Sequence, residues 1–463
     1  MQLYSENENY KLYHGNMLDM LEVIEPNSID SIITDPPYEL NFMNRSWDNS
    51  GIAFNKDAWK KCYDVIKPGG YLLAFGGSRT FHRIAVAIED AGFEIRDTIM
   101  YLYGSGFPKS LNIGLAIDKK MGIDNRTGNI RTDGKATLGS IYEWANGNPN
   151  TKEYEERKAQ NQWDGWETQL KPSYEPIIVA RKPVEKSIVD NVLKYGVGGI
   201  NIDECRVEPT GEDLGRNNKV CPYSSERTMG VSNTPAIDST GRYCGRFPSN
   251  VILTYDETDE QEVCGGMPNT KSQIGTFSND RFKKWKEQDG NKRNTDGGTT
   301  DFGYQDEGSA SRYFYCAKAS KFDRDEGLDE FEEKKGIRIN APRENEEIKT
   351  KPRKNIHPTC KPCDLMRYLV RLVSPKGATI LDCFNGSGST GKAVMLENKQ
   401  YNKNYKYIGI ELTEEYLPIA KARIEYICNN NFDFTTDENG RSRHEVIKKD
   451  DRLTIFDFDV EEI

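Results

Sequence analysis

Six residues, Ile29-Asp30-Ser31-Ile32-Ile33-Thr34, run into an acid and two consecutive prolines, Asp35-Pro36-Pro37, followed by Tyr38. The apolar run reads as a buried strand. Proline removes a ladder N–H and fixes φ, so two in a row cannot continue a central strand. The strand must stop there. A carboxylate, the free carbonyl of Pro36 and an aromatic ring then project from its C-terminal edge, where open α/β sheets place their ligands. The cluster suits an amino group held by acceptors and a planar ring stacked beside it.

The flanking residues alternate in the rhythm of parallel strands and crossover helices. Residues 10–14 read as a strand. Gly15-Asn16-Met17-Leu18-Asp19 leads into a helix reaching about Ile24. Residues 57–66 carry helical spacing that stops at the Lys67-Pro68-Gly69-Gly70 break. A strand over 71–75, a helix over 81–91 and a strand over 93–103 follow. The polar stretch 121–170 is too long for an ordinary connection and reads as an excursion with a role of its own. Strand character returns at 177–180.

From about 200 to 305 periodicity disappears. Arg281, Lys283, Lys284, Lys286, Lys292 and Arg293 cluster there with Phe282 and Trp285 between them. A basic run is often only a solvated face, but interleaved aromatics suit nucleic acid. Residues 320–350 read as a charged linker. An amphipathic helix is expected over 365–373.

At 463 residues, two or three lobes are expected. The apolar runs are strand-sized, which argues against a membrane span. The first nine residues lack the pattern of a signal peptide. Ten irregularly spaced cysteines suit a reducing cytoplasm. With a net charge of -10, any nucleic-acid footprint must be local.

A second motif follows an apolar strand at 378–383: Phe384-Asn385-Gly386-Ser387-Gly388-Ser389-Thr390-Gly391. Its glycines fit Gly-x-Gly-x-x-Gly between a strand and a helix over 390–396, where the backbone can approach a ligand closely. Glu411 ends the next strand, 20 residues after Gly391, the spacing of an acid that reaches a ribose hydroxyl. A P-loop would need Ser or Thr after Lys392, where Ala393 stands. A nicotinamide enzyme would use the glycines but leaves Asp35-Pro36-Pro37-Tyr38 unexplained. An adenosyl methyl donor accounts for both motifs.

Together these residues resemble the amino-group DNA methyltransferases of the permuted, beta-type order, in which the Asp-Pro-Pro-Tyr half precedes the glycine half. His357-Pro358-Thr359-x-Lys361-Pro362 and Ile408-Gly409-Ile410-Glu411 are similar to that family. Leu170-Lys171-Pro172-x-x-Glu175-Pro176 and Gly308-Ser309-Ala310-Ser311-Arg312-Tyr313-Phe314 are similar to its phage and prophage members. The resemblance implies a Rossmann-like, S-adenosylmethionine-dependent methyltransferase fold, an α/β architecture with a mostly parallel, doubly wound, circularly permuted sheet. It implies a catalytic half over 1–200, a target-recognition region over 201–305, a cofactor half over 306–430 and an acidic tail over 431–463. Cys383 and Asn385 stand where the family usually has Pro and Ala or Cys.

Carried over, the resemblance implies that Asp35, Pro36, Pro37 and Tyr38 are catalytic. Asp382, Phe384, Gly386 and Gly388 would line S-adenosylmethionine and Glu411 would take its ribose hydroxyls. Asp19 would lie near its adenine, His357, Thr359 and Lys361 would edge the pocket, and Asp35 would border it. Arg281, Lys283, Lys284 and Lys286 are the expected DNA contacts.

The implied reaction is methylation of the N6 amino group of adenine in double-stranded DNA, without a metal. Cytosine N4 is the alternative acceptor, and a DNA-binding regulator without catalysis is the alternative class. Cysteine attack from Cys363 would imply carbon-5 chemistry instead, but Cys363 is far in sequence from Asp35. A homodimer is a candidate assembly. Arg452-Leu453-Thr454-Ile455-Phe456 resembles peptides bound by bacterial replication clamps; a frayed tail is the simpler reading.

Overall fold

The computed structural model describes residues 2–40, 46–103, 110–124, 126–131, 154–207, 246–254, 267, 269–271, 275–277, 300–302, 307–310, 314–317, 321–334, 353–436 and 442–446. The chain divides into two units, Met1–Leu102 with Glu175–Ile463, and Tyr103–Tyr174. Arg281, Lys283, Lys284 and Lys286 lie outside the described residues, as does the segment Arg452 to Phe456.

The first unit is built on a sheet whose strands are β1 (Gln2–Glu6), β2 (Tyr10–His14), β3 (Ile29–Thr34), β4 (Ile66–Phe75), β5 (Glu94–Tyr103), β6 (Tyr174–Arg181), β7 (Val251–Thr254), β8 (Tyr315–Cys316), β9 (Thr379–Asp382) and β10 (Lys406–Glu411). Their spatial order is β1-β2-β10-β9-β3-β4-β6-β5-β7-β8. The pairs β2·β10, β10·β9, β9·β3 and β3·β4 are parallel. The late strands β9 and β10 thus lie between β2 and β3. The two motif-bearing strands are adjacent, with Ile380 opposite Ser31 and Leu381 opposite Ile32.

Helices α1 (Met17–Met20), α2 (Lys56–Val65) and α3 (Phe81–Asp90) follow β2, precede β4 and precede β5. Asn55 opens α2 by accepting from the Asp57 N–H at 2.9 Å. One face of α2 buries Ala58, Trp59, Cys62 and Val65. These pack in one core with Ile32, Leu72, Ala74, Leu381, Cys383 and Ile410, so both chain halves share it. Trp59 is fully buried and its indole donates to the Ala53 carbonyl at 2.9 Å.

Four expectations change. The first concerns β4, which begins at Ile66 and runs through Pro68-Gly69-Gly70 instead of starting after them. Register shifts from Ile29 opposite Ile66 to Ser31 opposite Tyr71, so the extra residues form a bulge. Gly69 sits at φ +80, and a Cβ there would meet Asn191 at 2.2 Å. A second change is that β6 runs antiparallel to β4 and separates it from β5. Helix α1 ends at Met20, short of Ile24. Finally, the start of the expected linker is structural: it forms a short helix, Lys321–Asp325, and buries an ion-pair network.

In the second unit, helix α4 (Ile113–Met121) is capped by Asn112, which accepts from Leu115 N–H at 2.9 Å. Buried Asp118 accepts from the Gln160 N–H and the Asn161 amide. Trp163 and Trp166 meet edge to face at 5.3 Å. This unit holds the described part of the polar stretch 121–170.

Candidate active site

Strand β3 ends at Thr34, as the prolines require, and Asp35 to Tyr38 leave the sheet beside the end of β9. Two contacts set Tyr38. Its carbonyl accepts from Thr80 Oγ1 at 2.8 Å, and its ring lies over Gly77, where a Cβ would sit 3.2 Å from Tyr38 Cδ2. The chain then turns through Glu39, at φ +55. Asp48 secures that turn by accepting from the Glu39 and Leu40 N–H groups.

Around Asp35 a compact polar cluster forms. Lys361 Nζ lies 3.0 Å from Asp35 Oδ2 and 3.0 Å from Glu175 Oε2. It also donates to the Tyr38 hydroxyl at 3.0 Å, and that hydroxyl donates to Glu175 Oε2 at 3.0 Å. The ammonium sits over the rings of Phe75 and Tyr38. Asp35 Oδ1 is buried and, among the described residues, has no partner. A buried unpaired acceptor is costly unless a ligand supplies the donor.

Electrostatics follow from this packing. Burial pushes the Asp35 carboxyl above its usual range, with Lys361 opposing and Glu175 adding to the rise. Burial alone would lower the Lys361 pKa, but Asp35 and Glu175 outweigh it and hold the ammonium charged.

The glycine loop lies at the ends of β9 and β10, before the helix Ser389–Tyr401. Gly386 and Gly388 adopt φ +51 and +75. A Cβ on Gly386 would lie 2.8 Å from His357 Nε2, and one on Gly391 would lie 2.5 Å from Ile424. The first glycine therefore lets the loop pass the histidine; the last lets its helix pack against the helix Leu417–Asn429. Glu411 is buried and accepts from Gly386 N–H and Thr413 N–H, both at 2.7 Å. Burial pushes its carboxyl up. Phe384 is half-buried and packs against the shared core.

Asp382 is fully engaged inside the protein. It accepts from Thr34 and Thr390 hydroxyls at 2.6 Å each and from the Phe384 N–H at 3.1 Å. Burial lifts its carboxyl to about 6. His357 stacks edge-on to Tyr416, and burial drops its pKa to about 3, so it is neutral. Thr359 and Asp19 are exposed.

The structure thus brings Asp35, Tyr38 and Lys361 together, and places His357, Asp382, Phe384, Gly386 and Glu411 around the glycine loop. Lys361 stands on the Asp35 side. Glu175, Thr34 and Thr390 are site residues that local sequence reading passed over. Glu175 was visible only within Leu170-Lys171-Pro172-x-x-Glu175-Pro176. The unusual Asn385 accepts from the Tyr407 hydroxyl at 2.7 Å. Cys383 meets Cys62 at 3.6 Å, sulfur to sulfur, in the core. Cys363 is buried at the start of α5 (Cys363–Val373), and burial pushes its thiol far up, which removes the thiolate a nucleophile needs.

The sequence matches the DNA methylase family model N6_N4_Mtase over residues 29–422. It is 30% identical over 118 residues to the Type II methyltransferase M2.LlaDCHI of Lactococcus lactis subsp. cremoris, covering 21% of this chain and 43% of that protein. It is 33% identical over 106 residues to the Type II methyltransferase M.HpaI of Haemophilus parainfluenzae, covering 22% of this chain and 34% of that protein. The chain spans less than half the length of these two relatives. Among solved structures, the cytosine-N4-specific PvuII DNA methyltransferase aligns at 12% identity and a TM-score of 0.36, covering 92% of this chain and 94% of that one. With the family model covering most of its length, the chain belongs to the DNA methylase family N6_N4_Mtase.

Proposed function

We propose that this protein transfers a methyl group from S-adenosylmethionine to the exocyclic N6 amino group of adenine in double-stranded DNA, with the chain in permuted, beta-type order. The observation that carries this reading is Asp35 Oδ1, a buried acceptor without a partner among the described residues. An amino group supplies the missing donor.

The residues present fit the donor. Gly386 and Gly388 turn the loop through positive φ at a helix start, Phe384 offers an apolar face, and Glu411 closes the neighbouring strand. When bound, S-adenosylmethionine supplies a methyl group on a sulfonium, which leaves as a neutral thioether with the C–S bonding electrons.

An exocyclic amino nitrogen is a weak nucleophile because its lone pair is delocalised into the ring. Asp35 Oδ1 and the Pro36 carbonyl accept its two hydrogens and draw it toward a tetrahedral nitrogen. As the N–C bond forms, the nitrogen becomes cationic and releases one proton to Asp35. Tyr38 stacks on the base, which must leave the duplex at a cost of a few kcal/mol. Positioning and electrostatics supply the rate enhancement. Arg281, Lys283, Lys284 and Lys286 are proposed to grip phosphates.

The test is tritium transfer from labelled S-adenosylmethionine to unmethylated DNA, followed by nucleoside separation. Label in N6-methyladenine supports the reading, and label in N4-methylcytosine moves the acceptor to cytosine. No label with active donor binding leaves the DNA-binding regulator as the answer.

A further inference from the structure

Lys361 belongs by sequence to the His-Pro-Thr segment beside the cofactor loop, yet its ammonium points the other way. It lies 3.0 Å from Asp35 Oδ2 and 3.0 Å from Glu175 Oε2, and donates to the Tyr38 hydroxyl at 3.0 Å. Lys361 is 8% exposed, so water does not substitute for these partners. With Oδ2 held by the ammonium, Asp35 is left with Oδ1 as its buried open acceptor. Glu175 reaches the cluster from β6, on the far side of β4 from Asp35.

We propose that Lys361 is a positioning residue for methyl transfer: shared between Asp35 and Glu175, it clamps Asp35 Oδ2 so that Oδ1 faces the amino group, while Glu175 anchors both Lys361 and the Tyr38 hydroxyl. The inference rests on the methyl-transfer reading and adds a role that the reading does not need. A carboxylate with one oxygen clamped has one rotamer to offer. A free carboxylate would share its time among several, and a misplacement of about 1 Å can cost on the order of 100-fold in rate. The clamp also opposes the desolvation that would otherwise protonate Asp35.

The groups that set the local charge are Asp35 after β3, Glu175 on β6, Tyr38, Lys361 before α5 and Asp382 at the end of β9. Removing Lys361 leaves carboxylates without their cation. Asp35 then takes up a proton at higher pH.

The experiment compares wild type, Lys361→Met, Lys361→Arg and Glu175→Gln. Each is measured for kcat, KM for DNA, donor affinity by calorimetry and the pH–rate profile. The Asp35 carboxyl is also titrated by carbon-13 NMR, a readout independent of turnover. Lys361→Met is expected to lower kcat on the order of 100-fold, with donor affinity within about threefold. Its acid limb and its Asp35 titration should move up by about one to two pH units. Lys361→Arg should recover most of the rate, and Glu175→Gln should fall between. An unmoved Asp35 titration overturns the inference. So does a Lys361→Met variant that keeps kcat but loses donor affinity, which would place the lysine at the cofactor. If wild type transfers no methyl group, the methyl-transfer reading fails on its own, and the titration still decides whether Lys361 governs Asp35. Melting curves verify that each variant is folded.

Discussion

Thr34 donates its hydroxyl to Asp382 Oδ1 at 2.6 Å. Thr34 is the last residue of β3 and Asp382 the last of β9, so one buried hydrogen bond ties the end of the Asp-Pro-Pro-Tyr strand to the end of the glycine-loop strand. The same threonine oxygen accepts from the Phe384 N–H at 3.2 Å. The distance between Asp35 and the glycine loop is therefore set by short bonds between parallel neighbours.

Asp35→Ala is expected to abolish methyl transfer, by at least two to three orders of magnitude, the usual cost of losing an electrostatic partner in a dry site. Donor binding should stay near wild type, since the glycine loop is untouched. Label transfer and calorimetry on the same preparation provide the comparison. Wild-type turnover in this variant would remove Asp35 from the chemistry.

Gly386→Ala is expected to weaken donor binding about tenfold. The residue sits at φ +51, and its new methyl would lie 2.8 Å from His357 Nε2. Left-handed backbone costs an L-residue about 1–2 kcal/mol, and the loop must shift to relieve the contact. Calorimetric titration with S-adenosylmethionine measures it, and unchanged affinity would place the donor elsewhere.

Lys392→Met tests the structural network behind the loop. Lys392 is fully buried and pairs with Asp323, and with Glu326 at 2.6 Å. Arg423 joins by donating to the Ser387 carbonyl at 2.7 Å. Removing the lysine leaves buried Glu326 and half-buried Asp323 short of a cation, and breaking a buried pair typically costs about 3–5 kcal/mol. Urea unfolding should show that loss; a change under about 1 kcal/mol would mean water or Arg423 replaces the charge.

Asp382 makes stability depend on pH. Burial raises its carboxyl from 3.8 to about 6 in the fold. The native state therefore holds the proton more tightly than the unfolded chain. The stability linked to this group is full below about pH 4 and is lost as pH rises through about 6. The span is worth on the order of 3 kcal/mol. Asp382→Asn does not titrate, so the stability advantage of wild type over the variant should shrink between pH 4 and 7. A difference that stays constant across that range contradicts the shift.

Much of the site was legible locally. Two prolines after an apolar run end a strand wherever it lies, and Asp35 and Tyr38 could be placed on its C-terminal edge. The strand–glycine–helix pattern located Gly386, Gly388 and Glu411 in the same way. The bulge at Gly69 was not legible, because Pro-Gly-Gly reads as a break unless a neighbouring strand absorbs the extra residues. Nor was the role of Asp323 and Glu326, which look like ordinary surface acids until Lys392 is seen buried against them.

Local residue patterns were enough for the end of β3 at the two prolines, for the glycine turn before a helix and for the family resemblance, because prolines and glycines act on the backbone within a few residues. Long-range packing alone reveals that Lys361 pairs with Asp35, that Glu175 reaches the cluster from an antiparallel strand, and that Thr34 meets Asp382. Those contacts join residues far apart in the chain. Strand order, direction and register bring them within 3 Å, and no local pattern of residues encodes those.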